Sequence, residues 1–155
     1  MEIENRKARH EYFVDETFET GVVLMGTEIK SIRKGSANFN DSYAIIRRGE
    51  AYLLNMFIAS YSEGNRFNHR ETRTRKLLMH KLEIKKIESK LNQEGYTLIP
   101  LKLYFKKNKA KILLGLAKGK KNYDKRETEK QRDLDRELRK IAKYKKNETI
   151  GNVHN

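Results

Sequence analysis

"LIPLKLYFKKNKAKILLGL", residues 98–116, sets two apolar arms on either side of a short polar break. In the second arm Ala110, Ile112, Leu114 and Leu116 recur at a period of two, with Lys109 and Lys111 between them. Side chains alternate between opposite faces only in an extended strand, so this arm predicts a strand with one apolar face. Leu98–Phe105 then pairs with it through Lys106-Lys107-Asn108-Lys109 as a hairpin. Pro100, the chain's one proline, has no N–H to give a ladder and marks an edge or a bulge in the first arm.

Outward from this hairpin, Tyr43–Ile46 and Ala51–Ile58 are rich in apolar, aromatic and β-branched residues around the turn Arg47-Arg48-Gly49-Glu50, a second hairpin. Phe18–Leu24 reads as a further strand. Glu28–Arg33 reads as a short helix closing at Gly35, and Lys76–Glu94 as a longer one closing at Gly95. In the longer helix Leu77, Ile84, Ile87 and Leu91 recur at helical spacing, and Leu77-Leu78-Met79 widens the stripe. Ser60–Thr74 is polar and reads as a loop. Short strands with interleaved helices predict an all-β core, a small closed β-barrel with helical cover.

The chain has 155 residues, 35 Lys and Arg against 21 Asp and Glu, a net charge of +14 and no cysteine. That length suits one domain with a real core. A charge this large speaks of anionic partners rather than of fold. Without cysteine there is neither a disulfide frame nor a thiolate metal site. Met1–Lys7 lacks the apolar run of a signal peptide, and no window reaches the roughly 18–20 apolar residues of a membrane span. These features predict a soluble cytoplasmic protein.

The charge is unevenly spread. Lys118–Lys146 carries thirteen Lys or Arg against six Asp or Glu, a net of +7 in less than a fifth of the chain. If helical, Leu134, Leu138, Ile141 and Ala142 form a narrow stripe that buries too little to fold alone. We therefore divide the chain into a barrel domain, 1–117, and a basic tail, 118–155. The tail is expected to be disordered when free and helical against an anionic surface.

Enzyme readings find little support. His10, His69, His80 and His154 have no mutual spacing that suits a metal, and no pair of acids stands out as acid and base. "GLAKGKK", 115–121, has three residues between its glycines where a phosphate-binding loop has four, and no Ser or Thr after its lysine. No catalytic residue, metal or cofactor is expected. The tail's stripe is thin for membrane binding and lacks Trp or Phe. Nucleic acid fits better: Lys and Arg release condensed counterions from phosphates, Gly119 lets backbone approach a phosphate, and Tyr123 offers a face for stacking. RNA is favoured over DNA because no helix-turn-helix, zinc or basic-zipper pattern occurs. A ribosomal or initiation-factor-like RNA-binding barrel, and a membrane-surface or DNA-coating protein, stay open as competing readings.

Five blocks add to this. "NRKARHEYF" (5–13), "FETGVVLMGTEIKSIRKG" (18–35), "TRTRKLLMHKLEI" (72–84), "GYTLIPLKLYFK" (95–106) and "GLAKGKKNYDKRE" (115–127) together resemble the SsrA-binding protein family, also called small protein B. The resemblance implies a closed six-stranded, OB-like barrel with about three outer helices and a tail disordered in solution. It implies a monomer that binds the tRNA-like domain of transfer-messenger RNA and brings it to stalled bacterial ribosomes for trans-translation. Its partners would be that RNA, the 70S ribosome, and elongation factor Tu in the delivery complex.

By motif, the resemblance assigns RNA binding to Asn5, Glu19 and Leu78. Lys30, Arg33 and Lys34 around the short helix, with Lys118, are expected phosphate contacts. A glutamate beside phosphate is repelled unless it accepts a bond from the RNA or organises a cation, and Arg9 is the expected neighbour for Glu19. Gly119, Lys120, Lys121, Asp124, Lys125 and Arg126 match the family's junction motif, with Tyr123 where relatives sometimes carry a stacking His, and all would meet the ribosome at the decoding centre. Ile141 and Ala142 match a hydrophobic pair that lodges in the empty message channel.

Overall fold

The computed structural model describes residues 1–61, 68–93 and 95–120, together with Leu134 and Arg136. Met1–Lys120 forms one compact unit. It opens with strand β1 (Glu2–Glu4), helix α1 (Arg6–Glu11), strand β2 (Tyr12–Val22) and helix α2 (Gly26–Arg33). Strands β3 (Ala37–Asn38), β4 (Tyr43–Arg47), β5 (Glu50–Leu54), β6 (Phe57–Ile58) and β7 (Arg75–Leu78) follow. Helix α3 (Lys81–Leu91) and the long pair β8 (Tyr96–Lys106) and β9 (Lys109–Gly119) complete the unit.

The expected hairpins are present. β8 pairs antiparallel with β9 from Tyr96↔Lys118 to Lys106↔Lys109. Its turn holds Lys107 at φ 52 and Asn108 at φ 63, two left-handed residues whose twist matches that of the flanking strands. β9 pairs with β2, β2 with β7, β7 with β5 and β5 with β4. β4 returns to β8 through Ala44 and Leu98, so six strands close a ring. β1 lies beside the later half of β8, with Glu2–Glu4 opposite Lys102–Tyr104.

Pro100 marks a bulge: the pairing with β9 slips between Pro100 and Lys102. The extra residue changes which face each side chain takes. Leu98 and Leu103, on either side of it, both enter the ring's interior, where they meet Leu53, Ile112, Leu114 and Leu116. Between them Ile99 and Leu101 turn outward and pack under Ala8 of α1 with Ala117. Gly115 leaves room for this second layer, since a Cβ there would lie 3.0 Å from Leu101 Cδ1 and 3.2 Å from Val14 Cγ1. Helices α2 and α3 send Ile32 and Ile87 into the interior, both fully buried. Each such burial is worth about 1.5–3 kcal/mol relative to exposure.

Several expectations need correction. Lys76–Glu94 is not one helix: Arg75–Leu78 is strand β7, and α3 begins only at Lys81. Burial alternates along β7, with Leu77 2 % exposed and Leu78 54 % exposed, a period of two that the run Leu77-Leu78-Met79 conceals. The strand expected over Ala51–Ile58 breaks at Asn55, whose φ of 64 turns the chain out of the ladder. β2 starts at Tyr12, six residues before Phe18, and β1 and α1 carried no periodic apolar signal. Lys118 and Gly119, assigned to the tail by composition, belong to β9 and pair with Phe13 and Tyr12. The remaining tail expectations fall outside the described residues, Leu134 and Arg136 apart. Among the described residues no helix is long and apolar enough to cross a membrane, and no cluster of three or more metal-ligating side chains occurs.

Candidate nucleic-acid interface

Helix α2 owes its orientation to a buried carboxylate. Glu28 sits three residues after Met25, and its Oε1 accepts the Met25 N–H at 2.8 Å, satisfying one of the open donors of the helix start. The same carboxylate accepts from Arg73 Nη2 at 2.6 Å and Nε at 3.1 Å, and from Arg75 Nε at 2.7 Å. Arg75, fully buried like Glu28, also donates to the carbonyl of Met56 at 2.6 Å. Burial pushes the Glu28 carboxyl up, but donation from Arg73, Met25 and Arg75 outweighs it and holds the group below its ordinary range. Ser31 Oγ donates to the Ala59 carbonyl at 2.7 Å, and the helix closes where Gly35 takes φ 76.

With Glu28, Ser31 and Ile32 buried, Lys30, Arg33 and Lys34 share the exposed face. The Arg33 guanidinium lies 5.1 Å from the centroid of the Phe105 ring, near the tip of the β8–β9 hairpin. Lys30 and Lys34 lie 5.5 and 4.9 Å from the Tyr61 ring. The hairpin tip adds Lys106, Lys107 and Lys109, all exposed, and Lys111 follows on β9. Lys109 and Lys111 border a groove of about 390 Å³ whose apolar wall includes Leu24, Ile29 and Leu78.

Leu78 thus stands at the surface, not in the core. It pairs across the ladder with Gly21, where a Cβ would lie 3.4 Å from Leu78 Cβ. Glu19 projects from β2 near the same groove. Its carboxylate accepts a bond from the Tyr104 hydroxyl and pairs with Lys106 at 3.4 Å. The Tyr104 bond, opposed by burial and reinforced by Lys106 and Lys111, keeps the Glu19 carboxyl below its ordinary range. Burial and the same bond push the Tyr104 phenol up to about 12. Glu19 therefore organises a cation, but the cation is Lys106; Arg9 instead lies 3.9 Å from Glu4.

Asn5 is set apart from the groove. Its Oδ1 accepts the Ala8 N–H at 3.2 Å, and its Nδ2 donates to the Pro100 carbonyl at 2.8 Å. It caps α1 and ties that helix to the bulge, so its amide already serves the fold. Lys118 lies 4.6 Å over the Tyr96 ring and Lys120 lies 5.3 Å over Phe13. Gly119 has open space where a Cβ would stand, so packing does not demand glycine there. Lys121, Tyr123, Asp124, Lys125, Arg126, Ile141 and Ala142 lie outside the described residues. Sequence reading missed Tyr104, Lys106 and the Glu28–Arg73–Arg75 cluster. For the cluster, the available signal was a glutamate in the first turn of a short helix.

Comparison with known proteins agrees along almost the whole chain. The family model for SmpB protein matches residues 2–144. An SsrA-binding protein of Bacillus subtilis strain 168 is 58% identical over 135 residues, covering 87% of this chain and 86% of that one. One from Shouchella clausii is 56% identical over 140 residues, 90% of each. A solved chain described as "tmRNA-SmpB: a journey to the center of the bacterial ribosome" superposes with a TM-score of 0.66 at 49% identity. That match covers 77% of this chain and 84% of the other.

Proposed function

Because the chain belongs to the SmpB family, we propose that the groove between α2 and the β8–β9 hairpin is where it grips RNA. The chain binds transfer-messenger RNA and serves trans-translation on the ribosome. A ribosomal or initiation-factor-like role without rescue is not favoured. We read the ring as an OB-like barrel and the protein as a monomeric, cytoplasmic binding factor rather than a catalyst. The observation that carries this reading is an apolar-walled groove lined by Lys109, Lys111 and Leu78, beside a hairpin that also holds Arg33 over Phe105 and Lys106 against Glu19.

In this reading the cations neutralise backbone phosphates of the tRNA-like domain, and Leu78 offers an apolar surface to a ribose or base edge. Lys30 and Lys34 extend the cationic face beside Tyr61. Glu19 holds Lys106 and the Tyr104 hydroxyl in place. Asn5 acts on the RNA site through α1, and Arg9 and Lys118 are outlying phosphate contacts. The junction residues Gly119, Lys120, Lys121, Tyr123, Asp124, Lys125 and Arg126 meet the decoding centre. Ile141 and Ala142 enter the message channel, and elongation factor Tu accompanies the delivery complex.

Arg33→Ala, Lys106→Ala and Lys109→Ala together should weaken binding of the isolated tRNA-like domain by about tenfold to a hundredfold at physiological salt. The slope of log K against log salt should shrink by roughly two to three, because each lost phosphate contact returns close to one counterion. An unchanged slope would remove the groove from the interface. Glu19→Ala also weakens binding although it deletes a negative charge, because Lys106 and Tyr104 lose their anchor. Tighter binding by that variant, in the same fluorescence titration, would mean that Glu19 merely repels phosphate.

A further inference from the structure

A second hollow, lined by none of the residues that line the α2 groove, shows RNA-binding chemistry. Strands β4 and β5 meet at Arg47-Arg48-Gly49-Glu50, where Arg48 has φ 54 and Gly49 has φ 75. This is a two-residue turn that places both central residues in the left-handed region, and its first position favours Asn or Asp. Arginine there is a poor local fit. It adds a second exposed guanidinium next to Arg47, and neither arginine makes an ion pair among the described residues.

The register assembles the rest. Ile45 lies opposite Tyr52, which lies opposite Lys76 on β7. Together with Leu54 and Thr74, the residues Ile45, Arg47, Arg48 and Tyr52 line a hollow of about 540 Å³. Glu50 is the acid closest in register, but its carboxylate is already held by Lys76 at 3.1 Å and by the Tyr52 hydroxyl at 2.9 Å. The Lys76 ammonium offsets the Glu50 charge, and the hydroxyl bond tethers the Tyr52 ring. The result is an oriented phenol ring between half-buried aliphatic side chains, a hydroxyl at Thr74, and two cations at one rim. An apolar ligand would leave the guanidinium groups unused, and inorganic phosphate would leave the ring unused.

We infer that this hollow binds a nucleotide of single-stranded or looped RNA, its base stacked on Tyr52 and its phosphates held by Arg47 and Arg48. The inference rests on the reading of the protein as an RNA binder and gives it a second RNA site. Stacking on an aromatic ring tolerates any base, so the site follows strand geometry rather than sequence. The same chemistry is offered by an unpaired loop of transfer-messenger RNA and by ribosomal RNA, and the test separates these sources.

The full chain is titrated by fluorescence anisotropy with a labelled eight-nucleotide uridine oligomer, with the tRNA-like domain, and with small ribosomal subunits. Arg47→Ala/Arg48→Ala should weaken oligomer binding about tenfold and reduce its salt slope by more than about one. Tyr52→Leu should weaken it by a similar factor, and Tyr52→Phe, which keeps the ring, should stay within about twofold. Arg48→Asn relieves the turn, so it should raise the melting temperature while still lowering affinity, which separates binding from folding. A parallel loss with the tRNA-like domain or with the small subunit names the natural source, and either supports the site. If all four variants bind every probe like the wild type, the site is refuted while the α2 groove stands. If the wild-type chain binds none of the three RNAs, both readings fall together.

Discussion

Glu28→Ala should cost Met1–Lys120 about 3–5 kcal/mol, the usual penalty for leaving a buried charge without its partner. In this variant Arg75, with no exposed surface, keeps its charge and loses its carboxylate, and Arg73 loses two bonds to the same group. The melting temperature should fall by on the order of 15 °C, read by circular dichroism or calorimetry. Loss of less than about 1 kcal/mol would mean that the two arginines find other partners. The pH dependence has a definite sign. The folded carboxyl lies below the ordinary glutamate range, so its contribution is complete above that range and is lost as pH falls through the folded value. Glu28→Gln, which cannot titrate, should start less stable than the wild type and lose less on acidification. α2 carries Arg33 on its outer face, so weakened RNA binding should accompany the instability even at temperatures where the variant is folded.

A chain ending at Lys120 should bind the tRNA-like domain within about twofold of the full chain and yet leave peptide tagging on stalled ribosomes at background. The groove cations and β9 all lie before that point, whereas Asp124, Lys125, Arg126, Ile141 and Ala142 lie beyond it. Neutralising many phosphates is additive, so removal of a net +4 in charge beyond Lys120 should lower nonspecific RNA affinity and its salt slope while sparing the specific contact. Gel-shift titration and an in vitro tagging reaction on ribosomes without a stop codon give the two readouts. Undiminished tagging by the truncated chain would overturn the division of labour between ring and tail.

How far the sequence could be read depended on whether one physical signal acted alone. The β8–β9 hairpin was legible because Ile112, Leu114 and Leu116 all enter the interior and nothing else competes with the period of two that they share with Ala110. The bulge was legible in Pro100. In Arg75–Leu78 two periods competed: Leu77 and Leu78 are adjacent, so the pair fits a helical stripe as well as a strand. Only the ladder to β5 and β2 decides between them, and that pairing is remote in sequence. The outward cations of α2 followed from the spacing 30, 33 and 34. The cluster beneath them did not, because Glu28, Arg73 and Arg75 read singly as ordinary surface charges. Leu78 is the converse, an apolar side chain that composition assigns to the core and the register turns to the surface.

β8 changes neighbours partway along: Leu98 faces β4, and Lys102–Tyr104 face β1. Were β1 peeled away, the backbone donors and acceptors of those residues would be open to a strand from another molecule. Three residues, Glu2, Ile3 and Glu4, therefore work as a sealing strip, held in part by ion pairs of Glu2 with Lys102 and of Glu4 with Arg9. The least conspicuous strand in the chain thus covers the stretch of β8 that β4 does not pair with.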